Sequence, residues 1–156
     1  MIPDTLTRED VISSMTSCEQ TTGMSLLDHG ILVNDCFDKL LKHLKEDTCP
    51  DQWRLPDNLK KLIPFLLDYD VIKEYQIMHD CGKGYCLITD ELGKRHFPNH
   101  AEISAKVYSK ISNNSQITNL IGMDMDIHLL KATDIEDFCS RNEWATLALT
   151  GIAEVH

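Results

Sequence analysis

At 156 residues, with 42% hydrophobic and 26% charged residues, the chain has the size and balance of one globular domain. Its 25 acidic and 15 basic residues leave a net charge of −10, which argues against a broad nucleic-acid interface but not against a small phosphorylated substrate. The opening MIPDTLTRED lacks the basic-then-apolar pattern of a signal peptide, no apolar run reaches membrane-spanning length, and the six cysteines contain no CxxC; a cytoplasmic chain with free thiols and no membrane contact is expected.

Helical periodicity dominates, so the expected fold class is all-α, a single-domain helical bundle in which residues 1–23 form a helical extension to a domain over 24–156. Leu26, Val33, Phe37, Leu40 and Leu44 mark one face of a helix from about Met24 to Lys45. Leu59, Leu62, Ile63 and Leu66 predict a second helix, interrupted near Pro64. Val71, Ile72, Tyr75 and Met78 predict a third, stopped by Gly82. Residues 81–98 read as a loop, with a short β-hairpin within 84–96 at most. His100–Ile111 is a fourth helix; Ile117–Leu130 and Ile135–Phe138 continue helically. Trp144–Val155 is an apolar terminal helix, suggesting a face that leans on further chain or on a second copy in a homo-oligomer.

Three histidines fall on the apolar stripes of these helices: His29 between Leu26 and Val33, His79 four residues after Tyr75, and His100 ahead of Ile103 and Val107. A lone inward histidine is ordinarily a satisfied core residue. Several on separate helices, one beside Asp80, would cost several kcal/mol to bury without partners, roughly 1–3 each. A metal ion is one such partner, and imidazole with carboxylate suits Mn, Fe, Co, Ni or Zn. Adjacent His79 and Asp80 at a helix end can converge just off its axis. In MHDCGKG, Gly82 ends the helix and Lys83 follows where an amine reaches a phosphate oxygen. Cys81 and Cys86, beside this motif, are an alternative zinc pair.

His79-Asp80-Cys81-Gly82-Lys83 resembles the HD-x-G-K signature of the HD-domain superfamily of metal-dependent phosphohydrolases. Ser25–Val33 resembles that family's first-histidine helix, His96–Ala105 its third-histidine segment, Ile121–His128 the helix closing on a fourth histidine, and Lys131–Glu136 its late helix carrying the last ligand. The order H…HD…H…H…D spans Ser25 to Phe138.

The resemblance implies an HD-type bundle and a divalent metal cofactor (Mn, Fe, Co, Ni, Zn or Mg; one or two ions). His29, His79, Asp80 and Asp134 would hold the first ion. His100 and His128 would complete a second site bridged by Asp80, or contact phosphate and protonate the leaving group if only one ion binds. Asp80, Lys83, His100 and His128 are the catalytic candidates, and Lys83, Lys94 and Arg95 the substrate-binding ones. Lys94 and Arg95 also read as a solvated basic pair. His43 is the alternative to His29. Asp124 and Asp126 are alternatives to Asp134, which also fits a capping box from Thr133 to Glu136.

The implied reaction is hydrolysis of a phosphoester of a nucleotide or nucleotide-like substrate by metal-activated water. Three rival expectations are a di-iron oxygenase on the same ligand order, a catalytically silent ligand-binding module, and a helical interaction protein without metal.

Overall fold

Ser25 and Asp28 start the longest helix by capping one another: the Asp28 amide donates to Ser25 Oγ at 3.1 Å, and Ser25 Oγ donates to the Asp28 carboxylate at 2.7 Å. From there α2 (Leu26–Lys45) runs for 20 residues, burying Leu26, Val33, Phe37, Leu40 and Leu44 along one face. The computed structural model describes residues 1–156. It is mostly helical, with two short antiparallel hairpins.

Ahead of α2, α1 (Arg8–Ser17) is capped by Thr7 and Asp10 and places Val11 and Met15 in the core. Residues 1–23 are therefore not wholly helical: β1 (Glu19–Thr21) pairs with β2 (Met24–Ser25) around Gly23, whose φ is +83°. After α2, residues Leu59–Phe65 form a 3-10 helix where an α-helix was expected. Pro64 has no N–H and blocks an α-turn, which explains the tighter winding.

Next come α3 (Tyr69–Met78) and a four-residue helix α4 (Lys83–Cys86). The following hairpin joins β3 (Ile88–Thr89) to β4 (Arg95–His96). In its turn the Asp90 carboxylate accepts from the Leu92 and Lys94 amides. Then α5 (His100–Ile111) and α6 (Ser115–Gly122) pack on each other.

The helix expected to continue from Ile117 to Leu130 stops at Gly122, and residues 124–126 wind as a 3-10 turn that sends the Asp124 side chain inward. The chain closes with α7 (Ile135–Ser140) and α8 (Trp144–Glu154).

Two apolar clusters make the core. One joins α1, α3, α5 and α6 through Met15, Tyr75, Met78, Val107, Leu120 and Ile121. The other joins α2, the 3-10 segment, α3 and α8 through Phe37, Leu40, Leu59, Ile72 and Leu149. No helix is long and apolar enough to cross a membrane.

Candidate metal centre

Three helices that carry potential ligands are locked together by one amide. Gln76 on α3 accepts from Asn34 Nδ2 on α2 at 2.8 Å and donates to Thr150 Oγ1 on α8 at 2.9 Å. All three side chains are buried, so the network fixes the relative positions of α2, α3 and α8 while leaving the Gln76 amide satisfied. Backbone approach does the rest. A Cβ at Gly30 would lie 2.3 Å from the Ile77 carbonyl oxygen, so only glycine lets α2 come this close to α3. At Gly82 a Cβ would lie 2.4 Å from the Ser104 amide; instead, the Gly82 amide donates to Ser104 Oγ at 2.9 Å. The turn after α3 is thereby pressed against α5.

This framework brings His29, His79, Asp80 and Glu154 together. Atoms of the His29 and His79 rings and the Glu154 carboxylate lie within 4.8 Å of one another. His29 Nε2 is 3.6 Å and His79 Nε2 is 3.8 Å from Glu154 Oε1. Asp80 Oδ2 is 3.3 Å from His79 Nε2 and 3.9 Å from His29 Nε2. These separations exceed hydrogen-bond lengths. Two donors each about 2.1 Å from one shared ion sit roughly 3–3.5 Å apart, so the spacing fits a cation with modest adjustment. His29 Nε2, His79 Nε2 and Asp80 Oδ1 are buried without a hydrogen-bond partner. Unpartnered buried polar atoms are rare, and here the two imidazole nitrogens face the same two carboxylates, Glu154 and Asp80, while Asp80 Oδ1 faces His100.

The surrounding contacts orient these groups. His79 Nδ1 lies 2.7 Å from the Gln76 backbone oxygen and so carries the proton, leaving Nε2 as the free donor atom. Lys83 Nζ donates to Asp80 Oδ2 at 2.7 Å. His128 Nε2 is 2.9 Å from Glu154 Oε2, and His100 Nε2 is 3.9 Å from Asp80 Oδ1. Tyr75, one turn before His79 on α3, donates its hydroxyl to buried Asp124 at 2.6 Å.

Charge is concentrated here. Burial disfavours the His79 cation, yet Asp80, Asp124 and Glu154 outweigh it and raise its pKa, so an ion binding at Nε2 would displace a proton there. Burial also opposes ionisation of Asp80, but His79 and Lys83 hold its carboxyl well below the ordinary range. Glu154 is likewise opposed by burial and drawn down to about 2 by His29, His79 and His128. Asp124 moves the other way, raised by burial despite His79.

Several candidates lie apart from this group. Asp134, expected as the last ligand, is exposed and accepts from Thr133 Oγ1; the carboxylate beside the histidines is Glu154. Asp126 pairs with Arg141. His43 contacts Thr48 at the far end of α2, about 21 Å along the axis from His29. Lys94 is exposed, and Arg95 is engaged by Glu19. Cys81 donates to the Ser104 carbonyl, with burial pushing its thiol up, and Cys86 leans on the Lys83 carbonyl; neither joins the cluster.

Glu154 was missed by the sequence reading. The available signal was that it is the one charged residue in α8. No family model matches the chain, and neither the curated proteins nor the solved structures provide a match.

Proposed function

We propose that this protein is a metal-dependent phosphohydrolase of the HD-domain type, acting on a phosphoester of a nucleotide or nucleotide-like small molecule. The observation that carries the reading is the convergence of His29 Nε2 and His79 Nε2, buried and unpartnered, on the Glu154 carboxylate and Asp80 Oδ2. Leaving one such atom unpaired costs roughly 1–3 kcal/mol, and a shared cation removes that cost. The order His29, His79-Asp80, His100, His128, Glu154 keeps the family's sequence of ligands with glutamate in the last place.

His29, His79, Asp80 and Glu154 would hold the ion; this nitrogen and oxygen set suits Mn, Fe, Co, Ni or Zn better than Mg. A divalent ion held there supplies Lewis acidity toward a phosphoryl oxygen and acidifies water. Lys83 fixes one Asp80 oxygen and leaves the other facing His100. His128 steadies Glu154. His100, one-fifth exposed, is placed to pass a proton to the leaving oxygen, or with Asp80 Oδ1 to hold a second ion.

Dioxygen chemistry on paired irons is a second reading favoured by the number of imidazoles. The buried Lys83 ammonium, suited to an anionic phosphoryl group, favours hydrolysis. The test is phosphate release from a nucleotide panel with Mn or Ni, under air and under anaerobic conditions. Release by the wild type in both atmospheres, and a loss of about 100-fold or more in Asp80→Ala, is expected. No release from any substrate, or equal release by the variant, contradicts the proposal.

A further inference from the structure

The geometry points to an oxyanion subsite made by Gln20 and Lys83, with Arg95 as the residue that positions Gln20. It rests on the phosphohydrolase reading and names the groups that take a non-bridging phosphoryl oxygen of the substrate.

Lys83 is the starting point. Its side chain is 10% exposed, so its ammonium is strongly committed to whatever it touches. It has three N–H donors and no acceptor. One goes to Asp80 Oδ2 at 2.7 Å and one to Gln20 at 3.0 Å, while the face of Phe97 lies 5.4 Å from Nζ. One N–H remains.

Gln20 is oriented by the same contact. Lysine can only donate, so the Gln20 atom facing it is the carbonyl oxygen. The amide nitrogen must then face away from Lys83. Nε2 has no partner within the protein and is not buried. Gln20 thus carries two free N–H donors on the same amide group whose oxygen Lys83 contacts. Asp80 already neutralises Lys83, so the ammonium alone is a weak anchor for a dianion. Neutral amide donors add hydrogen bonds without competing for the cation.

Gln20 needs support, because β1 is three residues long. The support comes from the other hairpin. Arg95 on β4 donates from Nη1 to the Glu19 backbone oxygen at 3.0 Å, with the Glu19 carboxylate 3.5 Å away. At the base of the first hairpin the Leu26 amide donates to the Cys18 carbonyl at 2.9 Å. The residue before Gln20 is therefore held by Arg95 through Nη1.

The test uses the Mn-loaded full chain with inorganic phosphate as the probe, measured both by direct titration and as an inhibitor of turnover. Gln20→Glu keeps an oxygen for Lys83 but turns a second oxygen, and a negative charge, toward the anion. Phosphate affinity is expected to fall about tenfold or more, with KM rising in parallel and metal content unchanged. Arg95→Ala should raise KM in the same direction, and Arg95→Lys should restore it in part. Phosphate affinity and KM equal to wild type in Gln20→Glu, at equal metal content and with turnover intact, overturns the subsite and leaves the phosphohydrolase reading standing. A metal-loaded wild type that neither binds phosphate nor releases it from esters overturns both.

Discussion

The rings of His29 and His79 lie with centroids 5.3 Å apart and planes tilted by 59°, although they belong to different helices. His29 is one residue from Gly30, where α2 meets the α3 backbone at Ile77, two residues before His79. The pairing of the two imidazoles therefore depends on a contact that no larger residue permits.

Gly30→Ala tests this dependence. The added methyl meets backbone rather than a flexible side chain, so the helices must separate. A destabilisation of about 1–3 kcal/mol is expected from overpacking, together with a clear loss of Mn affinity. Urea unfolding and a metal titration on the same samples check both. Unchanged metal affinity would mean that the helix approach does not set the ligand geometry.

Glu154→Gln and Asp134→Ala separate the two candidates for the last ligand. Glu154 lies among His29, His79 and His128, whereas Asp134 is exposed and hydrogen-bonded to Thr133. Mn should raise the melting temperature of wild type and Asp134→Ala alike, and should raise that of Glu154→Gln much less. The reverse ranking would restore Asp134.

Away from the metal centre, Glu74 ties α1 to α3 and α5. It accepts from Arg8 at 2.6 and 2.9 Å and from the Tyr108 hydroxyl at 3.0 Å. Burial opposes its ionisation, but Arg8 and Tyr108 outweigh burial and lower its pKa. Its contribution to stability is therefore complete above the unfolded glutamate pKa, near about 4.3, and is lost as pH falls through the lower folded value. The pair is partly exposed, so the effect is at most about 1 kcal/mol. In urea titrations from pH 7 downward, wild type should exceed Glu74→Gln by a margin that narrows below about pH 4.5. A margin independent of pH would assign the effect to packing.

The sequence carried the helices and the histidines well, because both depend on local spacing. His29, His79 and His100 sit at core-facing positions of periodic stripes, but α3 ends at Met78, ahead of the expected stop at Gly82, whose glycine serves the close approach to Ser104 instead. What it did not carry depends on pairs far apart in the chain. Asp124 stood in the sequence only as an alternative ligand to Asp134; its burial and its bond from Tyr75, 49 residues earlier, have no local signal. Glu154 sits in an apolar run whose period says only that the helix is buried. The β1–β2 hairpin is too short to show alternation, and its value lies in bringing Gln20 to Lys83, a contact across 63 residues.

Elemental analysis of the purified protein, wild type beside Asp80→Ala, bears most directly on whether these side chains share an ion. Near-stoichiometric transition metal in the wild type and its loss from the variant is the expected result. Equal metal in both samples, or none in the wild type after incubation with Mn, Fe, Co, Ni or Zn, would contradict it.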